Sequence, residues 1–220
     1  MSEICIIGCR ALEKELRSAM EACGCKNEII WTDPGLHNVK SKYKDVLQNI
    51  LDDLPSDCRT ALLVNGFCGN SIQGIVNSHA TLIIPRVDDC ISLLFGGYRN
   101  KKPYMDSYFL TESWMNGKQT IFQEYKWACE KYGTARARRI FEKMFRNYRR
   151  IAILDTGCYD TASAAEYARD FSEMFSLKQE IVPAGIRYLK DILTGPWDDL
   201  KFLIVQPHHM ITEADLMDLY

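Results

Sequence analysis

Three cysteines, Cys9, Cys68 and Cys90, each stand a few residues beyond a short apolar run. The runs are Ile4-Cys5-Ile6-Ile7, Ala61-Leu62-Leu63-Val64 and Thr81-Leu82-Ile83-Ile84. If these are parallel strands of an open α/β sheet, their carboxyl ends converge on one crevice, which is where such sheets bind ligands. Three thiolates brought together there would suit zinc with its fourth position open, or an iron–sulfur cluster with one open iron. No C-x-x-C pair supports the metal reading, because Cys23-Gly24-Cys25 is C-x-C between a helix and a strand. Cysteine is also a small, readily buried apolar residue, so packing alone is the competing explanation.

Other residues with chemistry to offer cluster around the same strand ends. Asn65-Gly66-Phe67-Cys68-Gly69-Asn70-Ser71 is a strand-to-helix turn. Backbone N–H groups around Gly66, Gly69 and Asn70 could cradle an anion or hold a cluster sulfide. The turn is neither a Walker loop nor G-x-G-x-x-G, and a tight turn needs glycine in any case. His37 follows the second strand and could be a fourth ligand or a proton donor, as could His208 and His209 after the last strand. His79 precedes a strand and belongs to the opposite edge. Asp88-Asp89 beside Cys90 offers a base, Asp89 above all, or simply a helix N-cap. The basic run from Arg136 to Arg150 could grip phosphate or carboxylate groups, or be a solvated helix face. Tyr104, Tyr108, Phe109, Trp114 and Trp127 could line a cavity, although core packing is the commoner use.

The elements that must position these residues alternate. Strands are expected at about 3–8, 28–31, 61–65 and 81–85, with helices over 12–22, 39–54, 70–76 and 91–97. Alternation with continuously apolar strands implies parallel βαβ units covered on both faces. The order should begin 2-1-3, with strand four beside strand three. A loop at 100–103 leads to a long helical stretch over 120–149, broken near Gly133. Strands at 150–155, 179–182 and 201–206 then alternate with helices over 161–175 and 186–193. The expected fold is therefore α/β, with mostly parallel open sheets in two Rossmann-like lobes and a helical middle region. Its parts are residues 1–99, an α/β lobe with the cysteine site; 100–149, a bridging region; and 150–220, a second α/β lobe.

The chain has 220 residues, 47% hydrophobic and 25% charged, and a net charge of −2. That balance argues against general affinity for nucleic acid or anionic membrane. There is no secretory signal pattern and no apolar stretch of about 20 residues, so a cytoplasmic setting is expected. Nine cysteines, an odd number, in a reducing compartment are more readily buried, metal-bound or catalytic than paired as disulfides.

Pro34-Gly35-Leu36-His37-Asn38, Gly66-Phe67-Cys68-Gly69-Asn70, Ile84-Pro85-Arg86 with Asp89-Cys90-Ile91, Tyr108-Phe109-Leu110-Thr111 with Trp114, and Tyr148-Arg149-Arg150 with Asp155-Thr156-Gly157 resemble, in order, the blocks of the domain of unknown function sixteen thirty-eight family. Its members are prokaryotic and often encoded near corrinoid-dependent methyltransferases. The resemblance implies cysteines at the positions of Cys9, Cys68 and Cys90 and a histidine at that of His37, with a corrinoid protein or methyltransferase as partner and a small molecule as ligand. Where the family commonly has histidine before Asp-Cys, this chain has Asp88. The resulting expectation is a zinc or iron–sulfur protein of corrinoid-linked one-carbon metabolism. The alternative is an accessory module that binds a corrinoid protein or a small anion without chemistry.

Overall fold

The structure, a computed structural model, describes residues 3–38, 40–117 and 120–217, and the side chains of all of these except 37, 38, 40 and 41. Along the chain come β1 (Ile4–Cys9), α1 (Glu13–Cys23), β2 (Ile29–Thr32), α2 (Lys40–Asp52), β3 (Thr60–Val64), β4 (Thr81–Pro85), α3 (Cys90–Leu94) and α4 (Tyr98–Lys101). A second compact unit, residues 102–184, follows with β5 (Ser107–Leu110), α5 (Glu112–Met115), α6 (Ile121–Tyr132), α7 (Thr134–Phe145), β6 (Arg150–Asp155), α8 (Thr161–Met174) and β7 (Lys178–Pro183). Residues 185–220 then rejoin the first unit with α9 (Arg187–Thr194) and β8 (Phe202–Val205).

The first unit is built on a five-stranded sheet of order β2-β1-β3-β4-β8. β1 is parallel to β2 and β3, and β3 is parallel to β4, so the 2-1-3-4 order expected from the pattern holds. One face carries α2, with Tyr43, Leu47 and Leu51 packed among Ile7, Leu63 and Ile84. α9 packs against α1, α3 and β3. α1 lies hard against β1, since a Cβ at Gly8 would stand 2.8 Å from the Leu16 side chain. Leu16 is wholly buried, and truncation to alanine there would cost about 2–5 kcal/mol.

The second unit has a parallel sheet of order β5-β6-β7. α6, α7 and α8 contribute an aromatic core in which Phe171 sits 4.6 Å from both Phe122 and Phe175, ring centre to ring centre. Gly133, at φ +79°, separates α6 from α7, which is the expected break: the left-handed region is open to glycine at no steric cost.

Four expectations are corrected. Residues 70–76 form turns, not a helix, because the chain there runs through left-handed conformations. Residues 100–103 are largely helical, in α4 and a 3-10 turn Lys102–Tyr104. β5 is an additional strand; its four residues have no clean period. The last strand leaves the expected C-terminal lobe altogether, since β8 pairs antiparallel with β4 in the first sheet. An apolar run specifies a strand but not its partner. Among the described residues, no helix is long and apolar enough to cross a membrane.

Candidate metal centre

The convergence of the three cysteines follows from strand pairing. Cys9 is the last residue of β1, and Gly8 is in register with Val64 of β3. The loops after β3 and β4 keep the alignment of their strands: Phe67 N–H donates to the Val87 carbonyl at 2.9 Å and Cys68 N–H to the Asp88 carbonyl at 2.8 Å. This lacing needs Gly66, where an added Cβ would fall 2.5 Å from the Asp89 Cα. Cys68, Gly69 and Asn70 then have φ of +47°, +66° and +61°. A left-handed non-glycine residue costs about 1–2 kcal/mol, less for asparagine, so the Cys68 thiol is positioned at the expense of strain, as is common at functional sites.

The sulfurs lie within electrostatic reach of one another. Burial pushes the Cys68 thiol up to about 12, and negative charge at Cys9, Asp89 and Asp88 pushes the same way. Cys90 is raised well above the ordinary thiol range by burial, then by Cys9 and Cys68. Cys9 is raised by burial and by Asp33. Each sulfur also receives one backbone N–H that favours the thiolate: from Ala11 at Cys9, from Gly66 at Cys68 and from its own residue at Cys90. The Thr32 hydroxyl assists at Cys9.

Two groups not singled out from the sequence complete the surroundings. The buried Tyr43 phenol feels Cys68, Cys9 and Cys90, and its hydroxyl accepts from the Asn65 amide. The Asn65 side-chain amide oxygen is buried and, among the described residues, has no hydrogen-bond partner. Helical spacing marks Tyr43 only as a core residue, and nothing in the pattern reveals where its hydroxyl goes. Lys101, its side chain 4% exposed, reaches Asp88 and Asp89 at 2.6 Å each. Asp88 also accepts from the Ser92 hydroxyl, and Asp89 caps α3 through the Ser92 N–H at 2.9 Å. Asp88, standing where the family commonly has histidine, is therefore committed to a lysine and a serine.

The remaining candidates separate clearly. The backbone of His37 lies in the 3-10 turn Pro34–Asn38 that follows β2, at the edge where β1 also ends; its side chain falls outside the described ones. Because β8 runs antiparallel, His208 and His209 emerge at the opposite edge, where His208 N–H donates to the Asn77 and Ser78 carbonyls. The expectation that either could join the cysteines is thereby withdrawn. His79 is at that far edge too, bonded to the Pro55 carbonyl. Cys5 and Cys58 share their own contact, with Cys5 raised to about 12 by burial and by Cys58. Cys158 belongs to the second unit.

Such thiols make weak free nucleophiles, since reactivity follows the thiolate. Desolvated, they stay protonated at neutral pH, and each one ionised opposes the next. A thiophilic cation would invert that balance, because coordination deprotonates a thiol outright. By the chemistry of its donors, three soft sulfurs with N–H support, the set suits such a group. Among the described residues, however, no three His, Cys, Asp or Glu side chains stand ready as a metal-holding set. Zinc would need the sulfurs to close to about 2.3 Å from one ion, and an iron–sulfur cluster would draw on the same three thiolates.

A family model described as "Protein of unknown function (DUF1638)" matches residues 31–193. No curated protein and no solved structure matches the chain.

Proposed function

This chain belongs to the DUF1638 family, and we propose that it is a metalloprotein whose Cys9, Cys68 and Cys90 hold a thiolate-ligated group in corrinoid-linked one-carbon metabolism. One observation carries the reading: three desolvated thiols far apart in sequence, Cys9 and Cys90 buried and Cys68 half-buried, press on each other's ionisation at one sheet edge. That arrangement is unfavourable for bare thiolates and favourable for a cation among them. The proposed occupant is either zinc or an iron–sulfur cluster with one open iron, since three thiolates with one position left open suit both. A cluster would supply electrons for cobalt reactivation, while zinc would act as a Lewis acid toward a methyl acceptor.

The chain's own residues have definable parts. The N–H groups of Ala11, Gly66 and Cys90 stabilise negative charge on sulfur. Asn65 and Tyr43 offer a carbonyl oxygen and a hydroxyl to a small ligand beside the sulfurs. Lys101 balances Asp88 and Asp89, so that these carboxylates do not add uncompensated charge. His37 and Asp89 are the proposed acid–base groups, and Asp89 in addition fixes the start of α3. Gly69 and Asn70 present the left-handed turn that carries Cys68. The test is metal analysis and visible absorption of anaerobically purified protein. A stoichiometric iron content with a visible band supports the cluster, and zinc without colour supports the alternative. Protein free of any stoichiometric metal would sink both.

A further inference from the structure

The α6–α7 hairpin carries a surface that the cysteine site does not use. In α7 the core side is Ala137, Phe141 and Phe145, all buried. Arg136, Arg139, Lys143 and Arg146 recur at intervals of three, four and three residues, and all four are exposed. At about 100° per residue they share the face opposite the core. Arg139, Lys143 and Arg146 have no acidic partner among the described residues. The ion pair Arg138–Glu142, at 3.0 Å, lies to the side of this stripe. At the hairpin the stripe continues into aromatic residues. Arg136 stands over Tyr132 at 5.5 Å, Lys131 over Trp127 at 4.5 Å, and Trp127 meets Tyr132 edge-on at 5.8 Å.

This arrangement opposes the helix that bears it. Like charges three and four residues apart repel. The first turn of α7 has no acidic residue and no side-chain cap, and arginines in the first turns face the positive end of the helix dipole. Local rules broken together at one place are characteristic of a functional surface. An anionic partner would relieve every one of these conflicts at once.

We propose that the α7 face is a docking surface for an acidic face of a partner protein. Charge complementarity sets the sign of the partner. Its class follows from the flanks: Trp127 is 52% exposed and Met144 49%, with Tyr132 and Ile140 beside them. Trp, Tyr, Met and Arg are the residues that protein interfaces favour. A phosphate backbone would leave the apolar flank unused, and the net charge of −2 repels a long polyanion beyond the stripe. The inference is independent of the cysteine reading, since no residue is shared.

The test measures binding of a fluorescent acidic amphipathic peptide, rich in Glu and Leu, to the full chain at low salt. Oligo-dT of equal charge and phosphatidylcholine–phosphatidylserine vesicles are run beside it. The expected result is that the peptide binds more tightly than either competitor and weakens steeply with salt. The combined variant Arg139→Gln, Lys143→Gln, Arg146→Gln loses about tenfold in affinity with an unchanged circular dichroism spectrum and metal content. Trp127→Ala weakens the peptide and leaves oligo-dT unaffected. The proposal is overturned if the peptide does not bind, if the triple variant binds it equally well, or if DNA or vesicles bind more tightly. The combined variant Arg139→Glu, Lys143→Glu, Arg146→Glu should abolish peptide binding, and undiminished binding by it also overturns the proposal.

Discussion

Mutual repulsion at the strand ends links Cys9, Cys68 and Cys90 to one another. Replacing Cys9, Cys68 or Cys90 by serine should remove most bound metal, because a hydroxyl is a far poorer soft-metal ligand. Serine at Cys5, Cys23, Cys25 or Cys129 should leave metal content unchanged, as read by elemental analysis. Loss that tracked Cys23 and Cys25 instead would refute the strand-end reading. Tyr43 gives a second prediction at this scale. Tyr43→Phe deletes the hydroxyl that accepts from Asn65, leaving both ends of a buried amide unpaired. A loss of about 1–3 kcal/mol is expected, measured by urea denaturation of the metal-free protein. The three thiols are visible in the sequence because the strand-end rule depends only on apolar runs and the few residues after each. Tyr43 and Lys101 are not visible as site neighbours, because their roles arise from side-chain reach across elements separated in sequence.

Two loops, rather than any helix or strand alone, set the geometry of the cysteine edge, and Gly66 is the point where they touch. Gly66→Ala would drive a methyl group to 2.5 Å from the Asp89 backbone. A destabilisation of about 1–3 kcal/mol and loss of metal should appear together, the first by thermal melting and the second by elemental analysis. In the second unit, Arg150 ties β6 to its neighbours through Glu180 at 2.9 Å and Asp106 at 3.1 Å. The Arg150 guanidinium holds the Asp106 carboxyl below its usual range. A depressed carboxyl stabilises the fold above the ordinary carboxylate pKa of about 4, and that contribution is lost as pH falls through the lowered value. Arg150→Met should therefore make acid unfolding begin at higher pH, followed by circular dichroism. Most elements are legible because strands covered on both faces need short continuous apolar runs and the helices between them keep a 3.6-residue period. β5 is hidden by its brevity. The turn at 70–76 looks helical because its composition permits a helix, while the left-handed run that prevents one leaves no mark on polarity.

The path of the whole chain separates two kinds of fold unit. Residues 102–184 are contiguous and contain every strand of their sheet, whereas the first unit needs both 1–101 and 185–220. A fragment of residues 102–184 should fold alone with a cooperative thermal transition. A fragment of 1–101 should not, since it lacks α9 and β8 and leaves β4 as a bare edge. Melting curves of the two fragments decide the matter, and a cooperative transition from 1–101 would contradict it. The antiparallel β8 also has a consequence in time. The ribosome makes β4 well over a hundred residues before β8, a delay of about 5–20 seconds at ordinary elongation rates. During that interval the nascent polypeptide holds its thiols on an unfinished sheet while the inserted segment emerges. Completion of the first sheet thereby waits on synthesis of β8, and a product that stopped before residue 202 would leave β4 without its antiparallel neighbour.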